Sequence, residues 1–251
     1  MSSRGANRTL VSPTFVEGGE RPAGGWNVVV PVKGTAQTKS RLASTFGDYT
    51  YEMALAFARD TLCAVLRCSA VSSITVVTRD ESLAGMLSDL AVVVMQESTG
   101  ADLNQAIRLA VSTQSPLGRV AVLLADLPSL RAAELEQALD AAARHDSAFL
   151  PDIHGDGTTL LTGRRPDLLH ARFGRESAAA HAALGAVRLD GTGLSTVRCD
   201  VDDLADLRRA AEMGLGPYTR HALHDDQMFR RAVTGMGSRF RAKPAVMPLR
   251  W

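Results

Sequence analysis

The sequence predicts an α/β fold: an open, mostly parallel sheet in three layers, with helices on both faces and a small antiparallel insertion. Two observations predict it. Runs at 27–32, 73–78, 91–95 and 120–125 are rich in β-branched residues and read as strands, and the apolar run at 27–32 is short enough for a strand buried on both faces. Segments with helical apolar spacing separate them, and strands alternating with helices of roughly 10–15 residues form βαβ units around a parallel sheet.

Residues 1–25 hold five glycines, two prolines and three serines without apolar periodicity, and read as a disordered leader. The first strand, 27–32, turns out of the sheet where Pro31 lacks an N–H and Gly34 tolerates unusual dihedrals. A helix follows at 50–67, with Met53, Phe57, Leu62, Val65 and Leu66 on one broad face. Next come a strand at 73–78, a short helix at 81–90, a strand at 91–95 and a helix at 101–112. The strand at 120–125 leads into an Ala/Leu-rich helix at 131–144. A short strand at 148–150, a tight turn at Asp156-Gly157 and a returning strand at 158–161 make the insertion. A helix at 175–184, strands at 187–189 and 196–199 and a helix at 202–213 complete the domain. Beyond Gly216-Pro217 the pattern dissolves, which divides the chain into leader 1–25, domain 26–216 and basic tail 217–251.

Of the 251 residues 45% are hydrophobic and only 5% aromatic, so the core is aliphatic. The net charge of +1 excludes a polycation that binds nucleic acid along its whole length. Residues 219–251 carry seven Lys/Arg against Asp225 and Asp226, which leaves residues 26–218 acidic. Three scattered cysteines (Cys63, Cys68, Cys199) make neither a disulfide framework nor a zinc site. No run approaches the ~18 apolar residues of a membrane span, and the N-terminus lacks the apolar core of a secretory signal, so a cytoplasmic protein is expected.

Two groups of residues carry chemistry. Lys33, Lys39 and Arg41 follow the first strand, at the carboxyl edge where open α/β sheets bind ligands. Lys39-Ser40 fits the Walker pattern, but Lys33 and Thr38 stand where its glycines should be, so a Walker-type NTPase is the runner-up. The second group is acidic. Asp126 follows an apolar strand, and Asp200 and Asp202 lie two apart in C-D-V-D-D-L, pointing to one face with Val201 turned into the core. One of Asp200, Asp202 and Asp203 caps the closing helix. Asp126 is not needed as a cap, since Pro128 delays the next helix and Ser129 is the better candidate. Oxygen ligands from two separated segments beside a loop of cations suit Mg²⁺ with bound phosphates.

The ordered set P-V-K-x5-K-S-R-L, L-A-D-L-P, G-T-T, F-G-x-x-S and D-V-D-D-L resembles the phosphoenolpyruvate/2-phospho-L-lactate guanylyltransferase family of coenzyme F(420) biosynthesis. The likeness covers about residues 26–215 and implies a fold similar to the nucleotide-diphospho-sugar and molybdopterin nucleotidyltransferases. It implies that Asp126, Asp200 and Asp202 hold the metal, Mg²⁺, and that Thr159, Gly174 and Ser177 contact the phosphorylated three-carbon acid. Lys33, Lys39 and Arg41 then face the GTP triphosphate, and Gly100 and Asn104 lie near the base. The partners implied are GTP and phosphoenolpyruvate or 2-phospho-L-lactate, a second copy in a homodimer, and a downstream transferase that takes the product. Neither nucleic acid nor membrane is among them. A substrate phosphate is already largely dianionic at neutral pH, so its attack on the α-phosphorus needs no general base, in keeping with six scattered histidines and no Ser-His-Asp arrangement. Two further readings stand beside this one: a nucleotidyltransferase of the same fold with another phosphorylated acceptor, and a non-catalytic nucleotide-binding domain.

Overall fold

Strand β1 (Trp26–Val32) sends Val28 and Val30 into one apolar cluster and Val29 into another, each at most 1% exposed. The same split recurs in β4 (Val120–Leu123), where Ala121 and Leu123 face one cluster and Val120 and Val122 the other. Burial on both faces is why these strands read as continuous apolar runs. The computed structural model describes residues 24–32, 50–97 and 102–225. Residues 1–23 of the expected leader, the tail beyond 225, and Lys33, Lys39, Arg41 and Gly100 lie outside the described residues.

The remaining strands are β2 (Val71–Thr78), β3 (Val93–Gln96), β5 (Ser147–Pro151), β6 (Thr158–Gly163) and β7 (Val187–Arg188). They form one seven-stranded sheet in the order β3-β2-β1-β4-β6-β5-β7. Pairing is parallel except at β6, which runs antiparallel to both β4 and β5, so the expected insertion is a single reversed strand inside the sheet. Helices α1 (Thr50–Leu66) and α4 (Ala132–Ala142) pack into the cluster on one face. Helix α3 (Leu103–Ser112) packs on the other, where Ala106, Ile107, Ala110 and Val111 are buried.

Four expectations change. The helix at 81–90 contracts to α2 (Leu83–Met86), where Gly85 weakens propagation and the chain turns toward β3. The third strand starts at Val93, not at residue 91. Ser129 does not cap α4: its N-cap is Arg131 without a side-chain bond, and the Arg131 N–H donates to Thr196 Oγ1 at 3.1 Å. The strand expected at 196–199 is a helix, α6 (Ser195–Arg198), because these residues brace α4. The Thr196 N–H donates to Glu134 at 2.7 Å and Val197 is fully buried among core residues, contacts that outweigh the β-propensity of so short a run.

The third apolar cluster joins α1 to the end of the described chain. After α5 (Ser177–Ala183) and α6 comes α7 (Leu204–Met213), capped by Asp203, whose carboxylate accepts from the N–H groups of Ala205 and Asp206. The tail expected from residue 217 begins instead with a helix, α8 (Pro217–Asp225). Its amides at Tyr218 and Thr219 donate to the buried carboxylate of Asp60 on α1, at 3.1 and 2.8 Å. Leu223 is buried beside Met53 and Phe57, and the Arg59 guanidinium lies 4.5 Å from the Tyr218 ring centre. The cap comes from another element far away in sequence, so Pro217 at the first position is the local mark of the helix start.

Candidate active site

Asp126 leaves the sheet just past β4, at the carboxyl edge of the parallel strands. Thr61, fully buried on α1, holds the backbone on both sides of it: its hydroxyl lies 3.0 Å from the Ala125 carbonyl and accepts from the Leu127 N–H at 3.1 Å. The Val201 N–H donates to the Asp126 carbonyl at 3.0 Å, docking the second acidic segment against the first. Val201 is fully buried, as the spacing of its neighbours required. Carboxylate oxygens of Asp126, Asp200 and Asp202 all lie within 4.8 Å of one another. Three hard oxygen donors so close repel each other strongly and together fit a divalent cation. Cys199, fully buried just before them, has its thiol pushed up to about 11 by burial, and Cys63 and Cys68 are free as well.

Asp206, 5% exposed, steadies the acidic segment from below. Its Oδ2 accepts from the N–H groups of Asp202 and Asp203 at 3.2 and 3.3 Å, while Oδ1 faces Arg209 at 3.0 Å and His154 at 3.2 Å. Asp203 is thus the cap among the expected three, leaving Asp200 and Asp202 with Asp126.

The triad borders a cleft of about 900 Å³, a volume that suits a nucleotide-sized ligand. Among its described lining residues, Asp126, Asp152, Asp156, Glu176, Asp200, Asp202, Asp203 and Asp206 are acidic, and Arg175 is the sole Lys or Arg. A wall so acidic holds phosphates only with added positive charge. One side of the cleft is the β5–β6 connection, where Asp152 accepts from the N–H groups of Gly155, Asp156 and Gly157 at 2.6, 3.1 and 2.8 Å. A Cβ at Gly157 would sit 2.3 Å from the Asp152 carboxylate, so a larger residue there would push that carboxylate off its amide donors.

Gly174 and Ser177 both line the cleft, Gly174 at φ +138° and Ser177 buried at the first position of α5. Thr159 does not border it. It is fully buried, its carbonyl accepts from the Leu124 N–H at 3.0 Å, and its hydroxyl has no hydrogen-bond partner among the described residues. Its neighbour Thr158 lines the cleft instead. Asn104, expected near the nucleotide base, commits both ends of its amide to Phe173: Oδ1 accepts from the N–H at 2.7 Å and Nδ2 donates to the carbonyl at 2.9 Å. It therefore fixes the loop that carries Gly174. The sequence reading missed Thr61, Asp152 and Asp206. A buried threonine within an apolar helix face and an aspartate three residues past a cap are weak signals, since Leu127 lies 66 positions from Thr61 and His154 lies 52 from Asp206.

Comparison with known proteins decides between readings that share this geometry. The family described as "Guanylyl transferase CofC like" matches residues 26–223. The chain belongs to that family. Among its relatives, the phosphoenolpyruvate guanylyltransferase of Streptomyces coelicolor is 45% identical over 198 residues, covering 77% of this chain and 93% of the relative. The enzyme of the same name from Salinispora arenicola is 45% identical over 197 residues, covering 77% and 91%. Among solved structures, a nucleotidyl transferase from Methanothermobacter superposes with a TM-score of 0.55 at 18% identity, covering 81% of this chain and all of the other. A 4-diphosphocytidyl-2C-methyl-D-erythritol synthase gives 0.53 at 16% identity, covering 75% and 97%. The CofC-like chain is a nucleotidyltransferase with the α/β fold of this group, which removes the Walker-type NTPase and the non-catalytic domain. No helix among its described residues is long and apolar enough to cross a membrane.

Proposed function

We propose that the chain transfers GMP from GTP to the phosphate of phosphoenolpyruvate, with release of pyrophosphate, in coenzyme F(420) biosynthesis. The observation that carries this reading is the convergence of Asp126, Asp200 and Asp202 on one cleft, in a chain whose relatives bear that activity as their name. An oxygen of the acceptor phosphate forms the new bond to the α-phosphorus, and the bond from that phosphorus to the β-phosphate oxygen breaks. The attacking group is a dianion at neutral pH and gives up no proton, so the site needs placement and charge compensation in place of a general base.

The triad is where Mg²⁺ fits, and a bound Mg²⁺ supplies neutralisation of phosphate charge. Lys33, Lys39 and Arg41 follow β1 in the sequence and are assigned to the triphosphate, and Gly100 is assigned to the base. Gly174 and Ser177 are assigned to the acceptor, with Thr159 behind them and Asn104 holding their loop. GTP and phosphoenolpyruvate are metabolites of the cytoplasm, which is the reason to place the enzyme there. A homodimer, and passage of the product to a downstream transferase, complete the reading.

The test pairs GTP and Mg²⁺ with phosphoenolpyruvate, 2-phospho-L-lactate or 3-phosphoglycerate and identifies products by mass. Guanylylated phosphoenolpyruvate and one pyrophosphate per product are expected. Guanylylation of 2-phospho-L-lactate alone would reassign the acceptor, and no pyrophosphate with any acid would remove the activity.

A further inference from the structure

A buried histidine that the reaction does not use stands behind one wall of the cleft. His181 on α5 is fully buried, with its ring centre 5.2 Å from that of Phe173 and 6.0 Å from that of Phe149. Both ring nitrogens are engaged. Nε2 lies 3.0 Å from the backbone nitrogen of Arg172, and Nδ1 lies 2.9 Å from Thr158 Oγ1. A backbone N–H can only donate, so Nε2 must offer its lone pair. A neutral imidazole that accepts at Nε2 carries its proton on Nδ1, and Nδ1–H therefore donates to Thr158 Oγ1.

The hydroxyl proton of Thr158 is then committed to some other acceptor. None takes it among the described residues, although Thr158 is only 2% exposed. Thr158 borders the cleft, and the Asp152 loop, Gly174 and Ser177 line the cleft with it. A buried hydroxyl donor left unmatched at the wall of a ligand cleft costs free energy until a ligand oxygen meets it.

We infer that Thr158 donates its hydroxyl proton to an anionic oxygen of the phosphorylated acid, and that His181 is the positioning residue that fixes this direction of donation. The identity of the ligand rests on the function proposed above, whereas the direction of the hydrogen bond rests on geometry alone. An imidazolium at this place would set Nε2–H against the Arg172 N–H, and burial holds the pKa of His181 down at about 4. The wall thus presents a neutral, directional donor, in contrast to the cations expected for the triphosphate.

Two measurements on the full chain test this. Thr158→Val keeps the shape and removes the donor, so the KM for phosphoenolpyruvate at saturating GTP and Mg²⁺ should rise ~10- to 100-fold with kcat changed by less than about threefold. Thr158→Ser should return KM to within about threefold of the parent. A folded Thr158→Val with unchanged KM would overturn the inference. Nitrogen NMR of the histidine-labelled parent should report a neutral His181 with its proton on Nδ1 at neutral and mildly acidic pH. A proton on Nε2 would overturn it as well, even if Thr158→Val did not fold. Should the parent guanylylate none of the three acids, the proposed function falls, and the NMR result still decides how Thr158 is held.

Discussion

Replacing Asp126 or Asp200 by asparagine keeps the shape of the side chain and removes one negative charge from three carboxylates whose oxygens lie within 4.8 Å. If the triad is the metal site proposed above, its cation is then bound less tightly, and charge in the transition state is less well compensated. Each variant should lower turnover ~10²-fold or more, about 3 kcal/mol of barrier, while thermal unfolding stays near that of the parent because repulsion in the cluster is relieved. Pyrophosphate release at ordinary Mg²⁺ measures it, and near-parental turnover in both variants would remove the assignment. The cations of the loop after β1 make a second comparison at this scale. Lys39→Ala should cut kcat/KM for GTP far more than Arg239→Ala at the same salt, and equal losses would reduce the loop to a solvated turn. Asn104 marks where a residue-scale reading reaches its end. Its type fits a base contact, yet its amide is committed to Phe173 across 69 positions, a partner that no local pattern names.

At the scale of elements, α8 is the part that composition concealed. Gly216 precedes it, Pro217 opens it and basic residues follow, which is the pattern of a departing tail, yet Thr219 and Leu223 are buried and Asp60 receives two of its amides. Truncation after 225 and truncation after 216 should therefore differ. The first is expected to leave both unfolding and guanylyl transfer unchanged. The second strips a buried carboxylate of its amide donors, removes Leu223 and uncovers Met53 and Phe57 on α1, and should cost about 3 kcal/mol or more in urea unfolding. Equal stability of the two truncated chains would show that α8 contributes nothing to the domain. The segment expected as a strand at 196–199 teaches the same lesson in reverse. Thr196 and Val197 favour a strand locally, but serve as a brace for α4 once Glu134 and Arg131 are in place.

Across the whole molecule, two buried titratable groups set opposing dependences on pH. Burial lowers the pKa of His181 from 6.5 to about 4, so the folded state refuses a proton that the unfolded chain accepts. Its contribution to stability is complete above 6.5 and is lost as pH falls from 6.5 toward about 4. At pH near 5 that loss amounts to about 2 kcal/mol. Asp60 acts the other way, since burial raises its pKa and the folded state then holds a proton more firmly than the unfolded chain. Its penalty at neutral pH is relieved as pH falls. Asp60→Asn removes the opposing group, so in that variant the stability lost on mild acidification should exceed the loss in the parent. Urea unfolding at neutral and mildly acidic pH measures both, and equal losses would mean that Asp60 does not titrate differently in the folded state.

By itself the sequence determined the sheet, its reversed strand and which three carboxylates converge. Strand periodicity, turn residues and a carboxylate at the end of an apolar run are local consequences of burial, written within a few residues of where they act. Asp126, Asp200 and Asp202 were legible for that reason, although two of them are more than 70 positions from the third. Tertiary structure alone decided what holds them: the Thr61 hydroxyl on both sides of Asp126, the Val201 amide on its carbonyl and Asp206 beneath Asp202. It also decided that Thr158 and not Thr159 borders the cleft, and that both ring nitrogens of His181 are engaged, by Thr158 and by the Arg172 N–H. Each of these is a hydrogen bond between groups distant in sequence, whose free energy depends on distance and desolvation that exist only after the chain has folded.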